Sequence, residues 1–140
     1  MSVDVEILYQ KDIVLVSDGG QFLGYLTGSF SGDDYVVRIT WGQCVSHHTA
    51  WNFFTALSEV RQDLDKQGLT PAVEGACRDV YPSRMALEMG GGRRAYRWPS
   101  TGRPRTVDIF DDVPIEEWAR LTSVAEQKDA QKQRMRHDDE

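Results

Sequence analysis

Residues 35–68 read YVVRITWGQCVSHHTAWNFFTALSEVRQDLDKQG, and the apolar period changes within them. In YVVRITW, Tyr35, Val37, Ile39 and Trp41 stand two apart and share one face of a strand. Further on, Phe53, Leu57, Val60 and Leu64 fall at i, i+4, i+7 and i+11, a helical stripe, while Glu59, Arg61, Asp63 and Lys66 point elsewhere. Ser46 or Thr49 can start that helix by accepting from its free N–H groups, and Gly68 can end it in the left-handed conformation. The spacing therefore predicts one long helix over Thr49–Gln67, packed on a sheet face.

Working toward the amino terminus, Val3, Val5, Ile7 and Tyr9 alternate with Asp4 and Glu6, the pattern of a half-buried strand. Ile13–Val16 is a further apolar run. Asp18-Gly19-Gly20 suits a tight hairpin turn, after which Gln21–Phe30 returns antiparallel. A turn at Ser31–Asp34 leads into YVVRITW. The first forty residues read as an antiparallel meander.

Toward the carboxy terminus, Pro71 stops the helix from resuming and VEGACRDVY alternates as a strand. RMALEM consists of good helix formers between Ser83, a possible N-cap, and Gly90, a possible stop, so a short helix is expected. A two-stranded hairpin across the glycines is the alternative. Ala95–Trp98 and Thr106–Phe110 read as strands around a polar PSTGRPR loop, and alternation along the first would face Tyr96 and Trp98 to the core and Arg97 outward. Asp112 and Pro114 mark a last helix start, with Trp118, Leu121 and Ala125 as its stripe. The expectation is an α+β domain: an antiparallel sheet of about five or six strands, one long helix on a face and a C-terminal helix. A single globular domain over 1–126 would be followed by a charged helical extension or tail over 127–140.

A chain of 140 residues can bury a core of its own. No apolar run is long enough for a membrane helix. MSVDVEILYQ lacks the basic and then apolar order of a secretory signal, which leads to the expectation of a soluble, cytoplasmic protein. The formal net charge of −6 disfavours a nucleic-acid binder. That charge is uneven. Met1–Ala76 has four Lys/Arg against ten Asp/Glu and Val107–Glu140 has five against ten, whereas Cys77–Thr106 has seven Arg against Asp79 and Glu88.

The chemistry-bearing constellations have structural explanations beside functional ones. Cys44, His47 and His48 near a helix start would suit a thiol nucleophile with an imidazole base, or simply the solvated first turn of a helix. Cys44 and His47 supply two ligands, short of a zinc site. Cys44 and Cys77 show no CxxC pattern and are read as reduced thiols. The pairs Asp33-Asp34, Asp111-Asp112 and Glu116-Glu117 fall in a turn, a cap and a first helical turn. GGGRR can line an anion-binding concavity, but it lacks the phosphate loop's Lys-Ser/Thr pair and does not follow a strand. It can equally be a flexible turn that stops a helix. No cofactor and no metal is expected.

VYPSRM and MGGGRRAY, followed by VDIFDD, resemble segments of small uncharacterised bacterial proteins associated with the immunity proteins of toxin systems. The likeness covers about a quarter of the chain. It implies an immunity-type protein that binds and inhibits a cognate bacterial toxin domain, with neither nucleic acid nor membrane as partner. The expected contacts are Arg84, Arg93, Arg94 and Arg97, with Gly90, Gly91 and Gly92 allowing close backbone approach. The alternatives are a small enzyme or nucleotide/phosphate-binding protein that uses 84–97, and a structural subunit that assembles through its charged tail.

Overall fold

The computed structural model describes residues 5–89 and 91–138. It is α+β, built on a curled antiparallel sheet of five strands in the order β4-β3-β2-β1-β5. The strands are β1 (Val5–Ser17), β2 (Gly20–Ser31), β3 (Asp34–Trp41), β4 (Cys44–Ala50) and β5 (Thr70–Pro71). The meander read from the first forty residues is present as β1, β2 and β3. Val5–Tyr9 and Ile13–Val16 form one continuous strand, with a register shift between Ile7 and Tyr9, while Val3 and Asp4 lie outside the described residues. Inside the curl lie Ile13, Leu15, Leu26, Val37 and Ile39. Gly28 lets the rings of Phe53 and Phe110 approach, since a Cβ there would stand 3.2 and 3.3 Å from them.

The single long helix expected on one sheet face is not what the chain builds. CVSHHTA forms β4, turned back on β3 through Gly42 at φ 55°. The helix α1 is confined to Phe53–Asp65 and is capped by Asn52, whose Oδ1 accepts from Thr55 N at 2.7 Å, rather than by Ser46 or Thr49. Gly68, at φ 72°, follows its last turn as expected. More than one stripe of α1 is buried, because it is flanked on two sides. Phe53 meets Tyr35 of β3 at 4.8 Å, and Phe54 meets Tyr81 at 5.0 Å.

A second antiparallel sheet follows, in the order β6-β7-β8, from β6 (Val80–Tyr81), β7 (Arg94–Arg97) and β8 (Arg105–Asp108). The short helix α2 (Arg84–Met89) lies between β6 and β7, started by Ser83 Oγ accepting from Ala86 N at 3.0 Å. The strand expected over VEGACRDVY is a correction. Only Val80–Tyr81 is strand; Val73 and Cys77 make single bridges to Asp112 and Leu121, with a 3₁₀ turn over Glu74–Ala76 between them. Within that turn Gly75 leaves no room for a side chain, because a Cβ there would stand 2.8 Å from Leu57 and 3.0 Å from Ile109. The backbone itself fills the core at that point.

The carboxy-terminal helix also differs in detail. Pro114 opens a 3₁₀ turn over Ile115–Arg120, and Leu121 bridges to Cys77. The helix α3 (Val124–Asp138) starts only afterwards, so Trp118, Leu121 and Ala125 do not share one helical stripe. Gln127 of α3 is buried, and its Nε2 lies within 3.0 Å of the Gly75, Cys77 and Val80 carbonyls. No helix among the described residues is long and apolar enough to cross a membrane.

Candidate functional site

The arginine-rich segment divides according to the direction each side chain takes from the second sheet. Ala95 and Arg97 of β7 face inward. Arg97 is 22 % exposed and meets Glu117 at 2.9 Å and Glu74 and Asp79 at 3.6 Å each. Arg120 joins the same three carboxylates at 2.6 Å (Glu74), 2.9 Å (Asp79) and 2.8 Å (Glu117). Burial alone would lower the Arg120 pKa; its hydrogen bonds to Glu74 and Asp79 outweigh that and hold it above the ordinary range. Glu74 is almost fully buried, with both arginines against it.

This reverses the orientation that alternation suggested, with Tyr96 and Trp98 facing the core and Arg97 facing out. Tyr96 is exposed, and Trp98 lies half-buried beyond the strand, its ring 6.0 Å from Tyr96. The acidic cluster beneath the sheet draws Arg97 inward. At the core contact only the small Ala95 fits.

Gly91 and Gly92 make their close approach to the chain's own backbone and side chains. Gly91 and Gly92, both buried, have φ of 69° and 72°. The Gly91 carbonyl accepts from Phe53 N at 2.6 Å, which satisfies an amide at the start of α1. A Cβ on Gly91 would stand 2.9 Å from the Tyr35 ring, and one on Gly92 2.7 Å from Asn52 Oδ1. Gly90 lies outside the described residues. Arg93 donates to Asp108 at 2.9 Å and stacks 4.9 Å from the Tyr9 ring centroid. Its pKa is raised, first by that hydrogen bond.

Facing away from this interior are Arg84, 91 % exposed with Glu88 at 3.4 Å, and Arg94. Among the described residues Arg94 makes no ion pair. It lines a recess of about 100 Å³ with Ser83 and Ala86 of α2 and Tyr96 and Thr106 of the hairpin. Met85 and Met89, one helical turn apart on α2, are 69 % and 82 % exposed. Met, Tyr and Arg together compose a surface suited to a macromolecular partner. The methionines were legible in RMALEM at i, i+4, but nothing in that hexapeptide said that no core lay opposite. A wider cleft of about 500 Å³ lies at the far end of the hairpin, lined by Arg97, Arg103, Arg105, Trp98 and Ser100 with Asp79.

The structure separates Cys44 from His47. They sit on opposite faces of β4, away from any helix start, so no helix dipole acts on the thiol. His48 Nε2 and Ser46 Oγ both lie 2.7 Å from Asp63 Oδ2, which lowers the Asp63 pKa, the serine bond contributing most. The serine donates to the carboxylate rather than to the imidazole, so the trio pins β4 to α1 and does not activate a nucleophile. Both cysteines are free; burial pushes the Cys77 thiol up to about 12. Among the described residues no three His, Cys, Asp or Glu side chains gather as a metal site. No protein-family model matches the chain, and none of the curated proteins does.

Proposed function

We propose that the chain is a binding protein of the immunity type, which blocks a cognate bacterial toxin domain in the cytoplasm by direct contact through α2 and the outer face of β7. The observation that supports this reading is the exposed group of Met85, Met89 and Tyr96 beside Arg94, whose guanidinium has no carboxylate partner among the described residues. Methionine adapts its shape to a partner, tyrosine adds area at low entropic cost, and a free arginine can hold a carboxylate with two parallel bonds. The docking face thus calls for an acidic group on the toxin domain, flanked by apolar side chains. The acidic surfaces elsewhere would orient a partner of mixed charge during encounter.

A second reading is favoured by the Arg103 and Arg105 cleft with Trp98, which would suit a phosphate group and its attached base. One experiment separates them. Proteins captured from the source cell on the immobilised chain are identified, purified and titrated against wild type, Arg94→Glu and Arg105→Glu. The first reading expects Arg94→Glu to weaken binding about ten-fold or more while Arg105→Glu changes it little. Equal affinity of a folded Arg94→Glu variant overturns it.

A further inference from the structure

The strand β4 is an end strand of the five-stranded sheet, and among the described residues no backbone bond reaches its outer edge. Its phase follows from the turn. Gly42 and Gln43 form a two-residue loop, so Trp41 and Cys44 close the hairpin as a hydrogen-bonded pair. Hydrogen-bonded pairs then alternate along the ladder: Ile39 with Ser46 and Val37 with His48. The residues between them, Val45, His47 and Thr49, direct their N–H and C=O groups away from β3, toward the free edge. All three side chains are exposed.

Edge strands are ordinarily guarded by lysine, proline, a bulge or an inward charge. CVSHHTA has no lysine, proline, aspartate or glutamate, and its register with β3 runs without a shift. The strand is also held ready, because Ser46 and His48 tie its inner face to Asp63 of α1. In a chain with a formal net charge of −6, two copies repel in general, whereas β4 itself carries no carboxylate and the adjoining Asp63 and Glu59 of α1 lie against its His48.

We infer that β4 is a self-association edge, at which a second copy of this chain adds its own β4 antiparallel about a two-fold axis through His47. The register is self-complementary. His47 meets His47 of the second copy, Val45 meets Thr49 of the second copy and Thr49 meets its Val45, so every outward-directed group finds its counterpart and each pair exchanges both bonds. A shift by one residue would set an outward group against one already bonded to β3. A shift by two would keep only two of the three pairs, so the full match favours this alignment of two copies. The edge lies apart from α2 and β7, so the pairing stands independently of the toxin-binding reading.

The test is sedimentation of the full chain over a range of concentrations, wild type beside His47→Pro and Val45→Lys. Proline at 47 removes only an outward-directed N–H, so the β3–β4 ladder is left whole. Wild type is expected to double its mass as concentration rises, with association weakened about ten-fold or more in either variant. Should His47→Pro fail to fold, Val45→Lys and exchange of the His47 amide in wild type decide, since that amide is protected only in the pair. A wild type that stays monomeric throughout, or a dimer that both variants leave unchanged, overturns the inference.

Discussion

Arg94 and Arg97 stand three residues apart on one four-residue strand, and only Arg97 is ion-paired among the described residues. Arg97 turns under the sheet to Glu74, Asp79 and Glu117, while Arg94 faces solvent beside Tyr96 and α2. Arg120 shares the interior cluster, and Arg61 on α1 is more enclosed still. The difference teaches that a dense run of arginine is not one functional unit. Carboxylates supplied from distant positions claim some of the guanidiniums for the fold, and those left over are the ones available to a partner.

The comparison can be pressed hardest at Arg61. Its guanidinium is wholly buried without a directly bonded carboxylate: Nη1 donates to Gly75 O at 2.9 Å and Gln127 Oε1 at 2.6 Å, and Nη2 donates to Thr122 O at 2.9 Å. Burial pulls its pKa down to about 10, against the opposing pull of Asp65. Arg61→Ala removes the donors to three oxygens and opens a cavity where α1, the 3₁₀ turn over Glu74–Ala76 and α3 meet. A loss of about 3–5 kcal/mol in urea unfolding is expected.

Arg120→Ala comes next. Among the described residues it leaves Arg97 as the sole cation paired with these three carboxylates, one of them almost fully buried, and should cost about 2–4 kcal/mol. The loss should change little with added salt, because the pairs are shielded from solvent ions. A variant as stable as wild type would mean that the cluster is slack and that Arg97 and Arg94 differ less than their surroundings imply.

Legibility followed the range of the interactions involved. The β1–β2–β3 meander was readable because each strand carries its own alternation, and α2 because Ser83 and RMALEM are sufficient locally. The strand β4 was not, since its inward residues are the polar Ser46 and His48, made tolerable there by Asp63 from the following helix. Likewise the turn at Glu74–Ala76 packs Gly75 against Leu57 and Ile109, neighbours that VEGACRDVY by itself does not reveal. At the site, the glycines' need for close approach was visible, but not that the approach is to Phe53, Tyr35 and Asn52 of the same chain. Tyr96 and Arg97 were assigned to the wrong faces because alternation gives the phase of a strand and not which side is the core.

The most direct test is urea unfolding of Arg97→Ala beside Arg94→Ala, two equal truncations on one strand. The division into interior and outward arginines predicts a loss of about 1–3 kcal/mol for Arg97→Ala, which strips one of the two cations from Glu74, and a change within about 0.5 kcal/mol for Arg94→Ala. Equal losses, or a larger loss for Arg94→Ala, would contradict it.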